Sequence, residues 1–337
     1  MASIYERGKV YYLSAYVNGR RIRRRVGKSK KLAELAREEI EVKIAKGELG
    51  WEEVRDPSFY EFVGKYLEYL AANTRPSTYI RYRKALQHFI EFLDTQGTPS
   101  PKLSQIPFHI IEEYKQRRIA LVKPLTVNVE LKVLKAIYNF AIKCRCAREN
   151  PVNKVTFYRE TEKKPRFLRK EEIEHLLQNS DGLYPVLYTS LKTGLRKGEL
   201  INLTWDNVDF QRKRITVESK QDWCTKTGNS REIPVADDLL TVLRDLPRAC
   251  DYVFLNTNGK KYGYHLTERI KRLVKRIGLG SLTLHTLRHT FISHLVMSGV
   301  DLVSVKELAG HSDIKTTMRY AHLTPEHLRK SIGKLPY

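Results

Sequence analysis

The sequence has few cysteines and no long apolar segment. Four of its 337 residues are cysteines, and they form no C-x-x-C pair, so we expect reduced thiols rather than a disulfide framework. Cys144 and Cys146 form a C-x-C without further metal ligands nearby. No apolar run approaches the roughly 18 residues that span a bilayer, and the N-terminus lacks the apolar region of a signal peptide. We therefore expect a globular, cytoplasmic protein without a membrane span.

Acidic residues are also scarce relative to basic ones. The chain has 38 Asp and Glu against 61 Lys and Arg, which gives a formal net charge of +23. A surplus of this size is typical of proteins that bind polyanions, and nucleic acid is the expected partner. The alternatives are a solvated basic surface or a surface that binds anionic lipid.

Residues 1–50 are predicted to form a β-β-β-α unit. Asn18-Gly19 favours a tight hairpin turn between short antiparallel strands. After the strands, Ser29 can cap a helix whose apolar residues recur every four positions, and Gly47 can end it.

The strand after the predicted turn is strongly basic. Period two places Arg21, Arg23 and Arg25 on one face, and Lys28 follows. Eight basic residues and no acidic one lie between Arg20 and Lys31. This pattern suits a ribbon laid on nucleic-acid phosphates. A solvated edge strand protected by charge is the alternative.

The rest of the chain is predicted to be mainly helical. Residues 56–155 have the apolar periodicity of about four helices, with Arg81 and Arg83 on a polar face that could contact DNA or only solvent. A charged linker at 156–167 precedes a third segment, 165–337, which has one strand-rich stretch from Val208 to Val235. The predicted fold class is thus mainly α with small antiparallel β-sheets (α+β).

Several polar residues of the third segment stand at helix ends and turns. They are Arg196 after a Thr-Gly break, Lys226 at a hairpin tip, His285 and Arg288 in the first turns of a helix, His311 after a helix-ending glycine, and Tyr320 at the end of a short helix. Helix N-termini favour anions, so Arg196, His285 and Arg288 stand where an anion would be favoured.

The order of the motifs TGLRKGEL, KTGNSREIP, HTLRHTF and LAGHSDIKTTMRY is similar to the catalytic domain of the tyrosine recombinases, the phage integrase family. The similarity runs from Arg166 to the end. The middle segment resembles the helical, SAM-like core-binding domain of that family, and the first fifty residues resemble its arm-type DNA-binding domain. The resemblance implies domains at 1–50, 56–155 and 165–337.

The resemblance also implies a role for each residue. Tyr320 would attack a DNA phosphodiester to give a 3′-phosphotyrosine, and Lys226 would protonate the leaving 5′ oxygen. Arg196 and Arg288 would clamp the phosphate oxygens. His285 and His311 would accept the tyrosine proton or donate hydrogen bonds to the phosphate. Arginine offers planar, permanently charged donors, and a phenol with a pKa near 10 needs such help at neutral pH. No metal or other cofactor is implied.

Two points of the site assignment stay open. Lys220 competes with Lys226 as the general acid, although Lys226 stands in the K-T-G-x-x-R-x-I-P pattern that resembles the family's lysine hairpin. His285 and His289 have the i, i+4 spacing of a zinc-binding helix, but Thr286 stands where a zinc protease has glutamate. We interpret Glu199 as a partner that orients a basic group. His289 and His294 are interpreted as packing or hydrogen-bonding residues.

The arm-like unit favours an integrase of a mobile genetic element. Expected partners are double-stranded DNA at core and arm sites, three further copies of the chain in a homotetramer, and accessory DNA-bending proteins. The tail beyond Tyr320 is expected to dock on a neighbouring subunit or on its own domain. The alternative functions are Xer-like chromosome or plasmid resolution, topoisomerase IB-like relaxation of DNA, and DNA binding without catalysis.

Overall fold

The computed structural model describes residues 2–17, 20–45, 55–97, 100–160, 164–220, 223, 230–263 and 265–323. The chain divides into two compact units, Met1–Thr161 and Glu162–Tyr337. Helices predominate, and the described residues include two small antiparallel sheets, which confirms the predicted fold class. Within these ranges no helix combines the length and the apolar character needed to cross a membrane.

The first unit begins with a three-stranded antiparallel sheet and a helix. The strands are β1 (Ala2–Arg7), β2 (Val10–Val17) and β3 (Arg20–Gly27), in that order, and α1 (Lys30–Ala45) packs on β1 and β2. Leu13 and Ala15 of β2 are buried. The backbone N–H of Leu32 donates to Ser29 Oγ over 3.4 Å, which confirms the predicted cap. Residues 18–19 and Gly47 lie outside the described part of the chain.

Four further helices of the first unit share one apolar core. They are α2 (Phe59–Asn73), α3 (Pro76–Thr95), α4 (Phe108–Ile119) and α5 (Pro124–Lys143). Ser58 caps α2, and proline occupies the first position of α3 and α5, where its missing N–H costs nothing. The buried carboxylate of Glu130 on α5 pairs with Arg118 of α4 at 2.6 Å. The predicted number of helices is confirmed.

The second unit combines eight helices with a three-stranded antiparallel sheet in its described residues. The helices are α6 (Lys170–Gln178), α7 (Tyr184–Thr193), α8 (Lys197–Ile201), α9 (Asp237–Arg244), α10 (His265–Arg276), α11 (Leu284–Met297), α12 (Leu302–Ala309) and α13 (Ile314–Met318). The strands are β4 (Val208–Asp209), β5 (Arg214–Val217) and β6 (Arg231–Pro234), in that order. Their residues are those that the sequence pattern predicts.

Two glycines end helices that matter for the site. Gly194 follows α7 with φ +62°, and Gly310 follows α12 with φ +66°, a conformation that side chains with a Cβ rarely adopt. A Cβ at residue 194 would also stand 2.3 Å from the ring of Phe291 on α11. These turns therefore require glycine, and they leave the last carbonyl groups of α7 and α12 open to outside donors.

Candidate active site

Three consecutive carbonyl groups at the end of α12 each accept from a different arginine. Arg231 Nε donates to the carbonyl of Leu308 over 3.2 Å, Arg288 Nη2 donates to that of Ala309, and Arg196 Nη2 donates to that of Gly310 over 2.5 Å. The C-terminal carbonyls of a helix lack partners within the helix and carry its negative end, so guanidinium groups satisfy and complement them.

The carboxylate of Glu199 joins two of these arginines. Its oxygens accept from Arg196 Nη1 at 2.8 Å and from Arg231 Nη1 and Nη2 at 3.1 and 2.6 Å. Glu199 is buried, and burial alone would raise its pKa, but the hydrogen bonds and charge of Arg231, followed by those of Arg196, lower the pKa to about 2. Glu199 is therefore an anion at neutral pH, and the prediction that it orients a basic group is confirmed.

Arg288 is the most enclosed of the three arginines. It is 2 % exposed, and its Nη1 donates to the carbonyl of Gly194 at the end of α7 over 2.7 Å. Burial, followed by the charge of Arg196, lowers the pKa of Arg288 to about 9, so the side chain stays protonated at neutral pH. The guanidinium is thus held between two helix C-termini before any ligand binds.

The hydroxyl of Tyr320 is in contact with a histidine of α11. Tyr320 follows α13 and is 3 % exposed, and its hydroxyl hydrogen-bonds His289 Nδ1. Burial raises the pKa of Tyr320 to about 12, although the charges of Arg288 and Arg319 oppose the rise. Burial, together with His285, lowers the pKa of His289 to about 4. At neutral pH a neutral phenol therefore faces a neutral imidazole.

The other two histidines of the predicted site lie on either side of this pair. His311 directly follows Gly310, and its Nδ1 lies 2.9 Å from Thr317 Oγ1. Burial, followed by the charges of Arg288 and Arg196, lowers the pKa of His311 to about 3. His285 is exposed at the start of α11, and its ring packs edge-on against that of His289 with centroids 4.3 Å apart.

One of the two candidate general acids falls within the described residues. Lys226 lies outside them. Lys220 is part-buried, its Nζ donates to Thr204 Oγ1, and its backbone forms an isolated antiparallel bridge with Trp223. The indole of Trp223 stands near Gly198, the second residue of α8, where an added Cβ would come within 3.3 Å.

The predicted DNA-contacting residues of the first unit are exposed. On β3, Arg21, Arg23 and Arg25 pair with Tyr16, Ser14 and Tyr12 of β2, on the face opposite the buried Leu13 and Ala15. The guanidinium of Arg21 donates to Ser14 Oγ over 3.0 Å and lies over the ring of Tyr16. The other predicted DNA-contacting residues, Lys28 after β3 and Arg81 and Arg83 on α3, are exposed as well.

The sequence pattern did not single out Arg231, and it gave His289 no catalytic role. Arg231 stands at the start of β6 in the quoted pattern K-T-G-x-x-R-x-I-P, and this pattern was the available signal. His289 and His294 were both predicted to pack or to form hydrogen bonds. The contact of His289 with Tyr320 confirms the first prediction, and the 2.8 Å contact of His294 Nε2 with the carbonyl of Leu168 confirms the second. Among the described residues, no three His, Cys, Asp or Glu side chains are grouped to hold a metal ion.

Comparison with protein families and curated proteins gives matches along most of the chain. The phage integrase family matches residues 166–327, and the phage integrase SAM-like domain matches residues 58–158. Tyrosine recombinase XerC of Oceanobacillus iheyensis is 30% identical over 302 residues, which are 81% of this chain and 95% of the relative. Tyrosine recombinase XerD of Listeria innocua is 28% identical over 282 residues, 77% of this chain and 91% of the relative.

The solved structures with a similar fold include integrases. The Tn1549 transposon integrase in complex with a circular intermediate DNA has a TM-score of 0.69 at 22% identity, over 83% of this chain and 100% of that chain. A lambda integrase dimer bound to a COC′ core site has a TM-score of 0.66 at 17% identity, over 94% of each chain. A shorter lambda integrase chain, of residues 75–356, covers 77% of this chain and 97% of its own length, with a TM-score of 0.65 at 18% identity.

Proposed function

Because the chain belongs to the tyrosine recombinase (phage integrase) family, we propose that it integrates and excises a mobile genetic element by site-specific DNA cleavage and rejoining. The family consists of enzymes that cleave and rejoin DNA. In this proposal the chain forms a 3′-phosphotyrosine at Tyr320, and it uses neither a metal ion nor ATP. The reaction takes place on DNA in the bacterial cytoplasm.

The observation that carries the proposal is the placement of Tyr320 beside preorganised cations. Its hydroxyl contacts His289, the neighbour of Arg288 on α11, and the guanidinium of Arg288 shares the end of α12 with that of Arg196. Donors fixed before the reaction stabilise developing charge without reorganisation. A phosphodiester at this point would meet a nucleophile and two arginines together.

The proposed cleavage step forms one bond and breaks another. The Tyr320 oxygen bonds to phosphorus, the bond from phosphorus to the 5′ oxygen breaks, and Lys226 gives that oxygen a proton. Arg196 and Arg288 bind the non-bridging oxygens as charge builds on phosphorus, and His285 and His311 donate hydrogen bonds to them. Because the phosphotyrosine retains the energy of the broken bond, a second 5′-hydroxyl can reverse the step and exchange strands.

Three functional domains are part of the proposal. Residues 1–50 bind arm sites through Arg21, Arg23, Arg25 and Lys28, residues 56–155 bind the core site with Arg81 and Arg83, and residues 165–337 cleave. The longer lambda integrase chain covers 94% of this chain, against 77% for the shorter one, which supports a counterpart of its additional segment here. An arm-binding unit favours integration over Xer-like resolution.

The active assembly is proposed to be a homotetramer on double-stranded DNA, with accessory DNA-bending proteins. A related lambda integrase has been solved as a tetramer bound to a Holliday junction. Xer-like resolution is the second candidate function, because two curated relatives named XerC match 79% and 81% of this chain and 93% and 95% of their own length. A resolvase of that kind would recombine its site in the absence of arm sequences. An integrase with an arm-binding domain would need those sequences.

A nicked suicide substrate, on which the cleaved fragment diffuses away, tests the proposed function. With attachment-site DNA we expect a covalent protein–DNA complex that survives denaturation and is lost in Tyr320→Phe. Tyr262→Phe, which alters another buried tyrosine of the same unit, is the matched control and should retain the complex. Absence of the complex in the unaltered protein would indicate binding without catalysis. A complex with relaxation of supercoils but no strand exchange would indicate a topoisomerase.

A further inference from the structure

The proton of Tyr320 must go to a base before or as the phenol attacks phosphorus. Nδ1 of His289 is in hydrogen-bond contact with this hydroxyl. The two ring centroids lie 5.8 Å apart and the rings are inclined by 41°, so the contact is between the hydroxyl and the ring nitrogen rather than between stacked rings. A direct contact of this kind is what proton transfer requires.

The other histidines of the cluster are engaged elsewhere. His311 directs its Nδ1 to Thr317 Oγ1 at 2.9 Å. His285 is exposed, and its ring packs edge-on against that of His289. His289 is thus fixed between a ring on one side and the nucleophile on the other, and α11 holds it one residue after Arg288.

We propose that His289 is the catalytic base that takes the proton of Tyr320 during DNA cleavage and returns it during rejoining. The inference rests on the proposed function and assigns a step that the sequence analysis gave to His285 or His311. Those two histidines remain available to donate hydrogen bonds to the phosphate. Because residue 289 directly follows Arg288, nucleophile activation and phosphate binding are supplied by one turn of α11.

The proton balance of the step closes within the site. As the bond from the Tyr320 oxygen to phosphorus forms, the phenol proton passes to Nδ1 and the imidazole becomes a cation. The bond to the 5′ oxygen breaks, and that oxygen receives a different proton from the general acid. In rejoining, a 5′-hydroxyl attacks the phosphotyrosine, its proton goes to the general acid, and the imidazolium returns its proton to the leaving tyrosine.

The charges around His289 explain why transfer waits for DNA. His285 and Arg288 on α11, Arg319 beside Tyr320 and His311 after α12 lie near the ring, and after burial the charges of His285, Arg319 and Arg288 lower the pKa of His289. Without substrate the phenol therefore keeps its proton. A bound phosphodiester adds negative charge, and the phenolic oxygen loses its basicity as it bonds to phosphorus, so both changes favour transfer.

The test compares two replacements of His289 on the full-length protein with the suicide substrate. His289→Asn keeps a hydrogen-bond acceptor near the Nδ1 position but takes up no proton, and His289→Ala removes both. We expect the cleavage rate to fall at least about 100-fold in each, with DNA binding retained. His322→Asn, at an exposed histidine two residues after Tyr320, is the matched control and should cleave normally.

Two further measurements separate a base from a residue that only positions the phenol. Added imidazole should partly restore cleavage by His289→Ala, since it fits the space left and accepts a proton. On DNA with a 5′-thiol leaving group, which needs no general acid, cleavage by His289→Asn should rise about tenfold per pH unit in alkaline solution as tyrosine ionises by itself. The unaltered protein should show a flatter profile over the same range.

Contrary results have distinct meanings. If His289→Asn cleaves as fast as the unaltered protein, or His289→Ala cleaves faster, the contact only stores or positions the tyrosine and the inference is wrong. If the unaltered protein forms no complex that depends on Tyr320, the proposed function itself fails. Should His289→Ala not fold, His289→Asn and its pH profile decide the question.

Discussion

The guanidinium of Arg231 lies against the backbone of Gly310, so close that a Cβ on residue 310 would stand 2.8 Å from its Cζ, Nε and Nη1. Glu199 and the carbonyl of Leu308 hold the same guanidinium in place. It cannot move aside without breaking those hydrogen bonds. The small size of residue 310 therefore allows β6, which begins with Arg231, to lie against the end of α12.

We expect Gly310→Ala to reduce both stability and cleavage. The positive φ alone costs about 1 kcal/mol, and displacement of Arg231 from Glu199 adds to this. Chemical denaturation and single-turnover cleavage measure the two effects. Gly299→Ala is the matched control, because Gly299 has φ +85° and no heavy atom within 4 Å of an added Cβ. Equal cleavage by both variants would show that the contact with Arg231 has no functional role.

Replacement of Glu199 by glutamine should be strongly destabilising. The variant keeps the shape of the side chain but leaves Arg196 and Arg231 without a buried counter-charge, a change that costs about 3 kcal/mol. Urea unfolding checks the loss, and we expect cleavage to fall at least about tenfold as the arginines lose their positions. Glu232→Gln removes a more exposed carboxylate, paired with Arg214 on the sheet, and should change stability by less than about 1 kcal/mol.

The stability of the second unit should fall as the pH is lowered from neutrality. His311 has a pKa of about 3 when folded, below the value near 6.5 expected in the unfolded chain. Between these values the unfolded chain binds a proton that the folded chain does not. The contribution of His311 to the free energy of unfolding is therefore complete above about pH 6.5 and is lost as the pH falls toward 3. Urea unfolding at several pH values should show a smaller pH dependence in His311→Gln than in His322→Gln. Identical slopes would contradict the prediction.

The choice between Lys226 and Lys220 can be made with a modified leaving group. Lys226→Ala should slow cleavage of an ordinary phosphodiester about 100-fold or more, and a 5′-thiol leaving group should restore it, because a thiolate leaves without a proton. Lys220 is engaged with Thr204 Oγ1, so Lys220→Ala should show no such rescue. Rescue of Lys220→Ala alone would transfer the role to that residue.

The basic face of β3 can be tested against the opposite face of the same strand. Arg23→Gln should weaken DNA binding and lower the slope of log affinity against log salt by about one unit, as loss of one phosphate contact does. Arg24→Gln removes the same charge but from the face of Leu13, which is buried beneath α1. Binding titrations at several salt concentrations should separate the two. Equal losses in both variants would indicate a general effect of charge.

Local features of the structure could be predicted from the sequence because their signals are local. Ser29 caps α1 as expected, Gly310 ends α12, and the three short strands of the second unit lie where the sequence has short β-prone runs. Glu199 could be linked to a basic group because Arg196 is only three residues away.

The arginine cluster could not be predicted in the same way. Arg231 reaches a carbonyl 77 residues away, and Arg196 reaches one 114 residues away, so each contact exists only after the second unit has packed. The contact of His289 with Tyr320 likewise depends on how α13 returns to α11. Helical spacing predicts which side chains share one face of a helix, but it does not predict which residues of other elements pack against that face.

Each of the three arginines donates one hydrogen bond to a main-chain oxygen at residues 308–310, and this affects how the site tolerates mutation. A point substitution can delete an arginine, but no side-chain substitution at Leu308 or Ala309 deletes a carbonyl. Residue 308, which is only half-buried, should therefore accept many side chains, whereas buried Ala309 should accept only small ones. A one-residue insertion or deletion in α12 is different, because it would displace one acceptor of each of the three arginines at once.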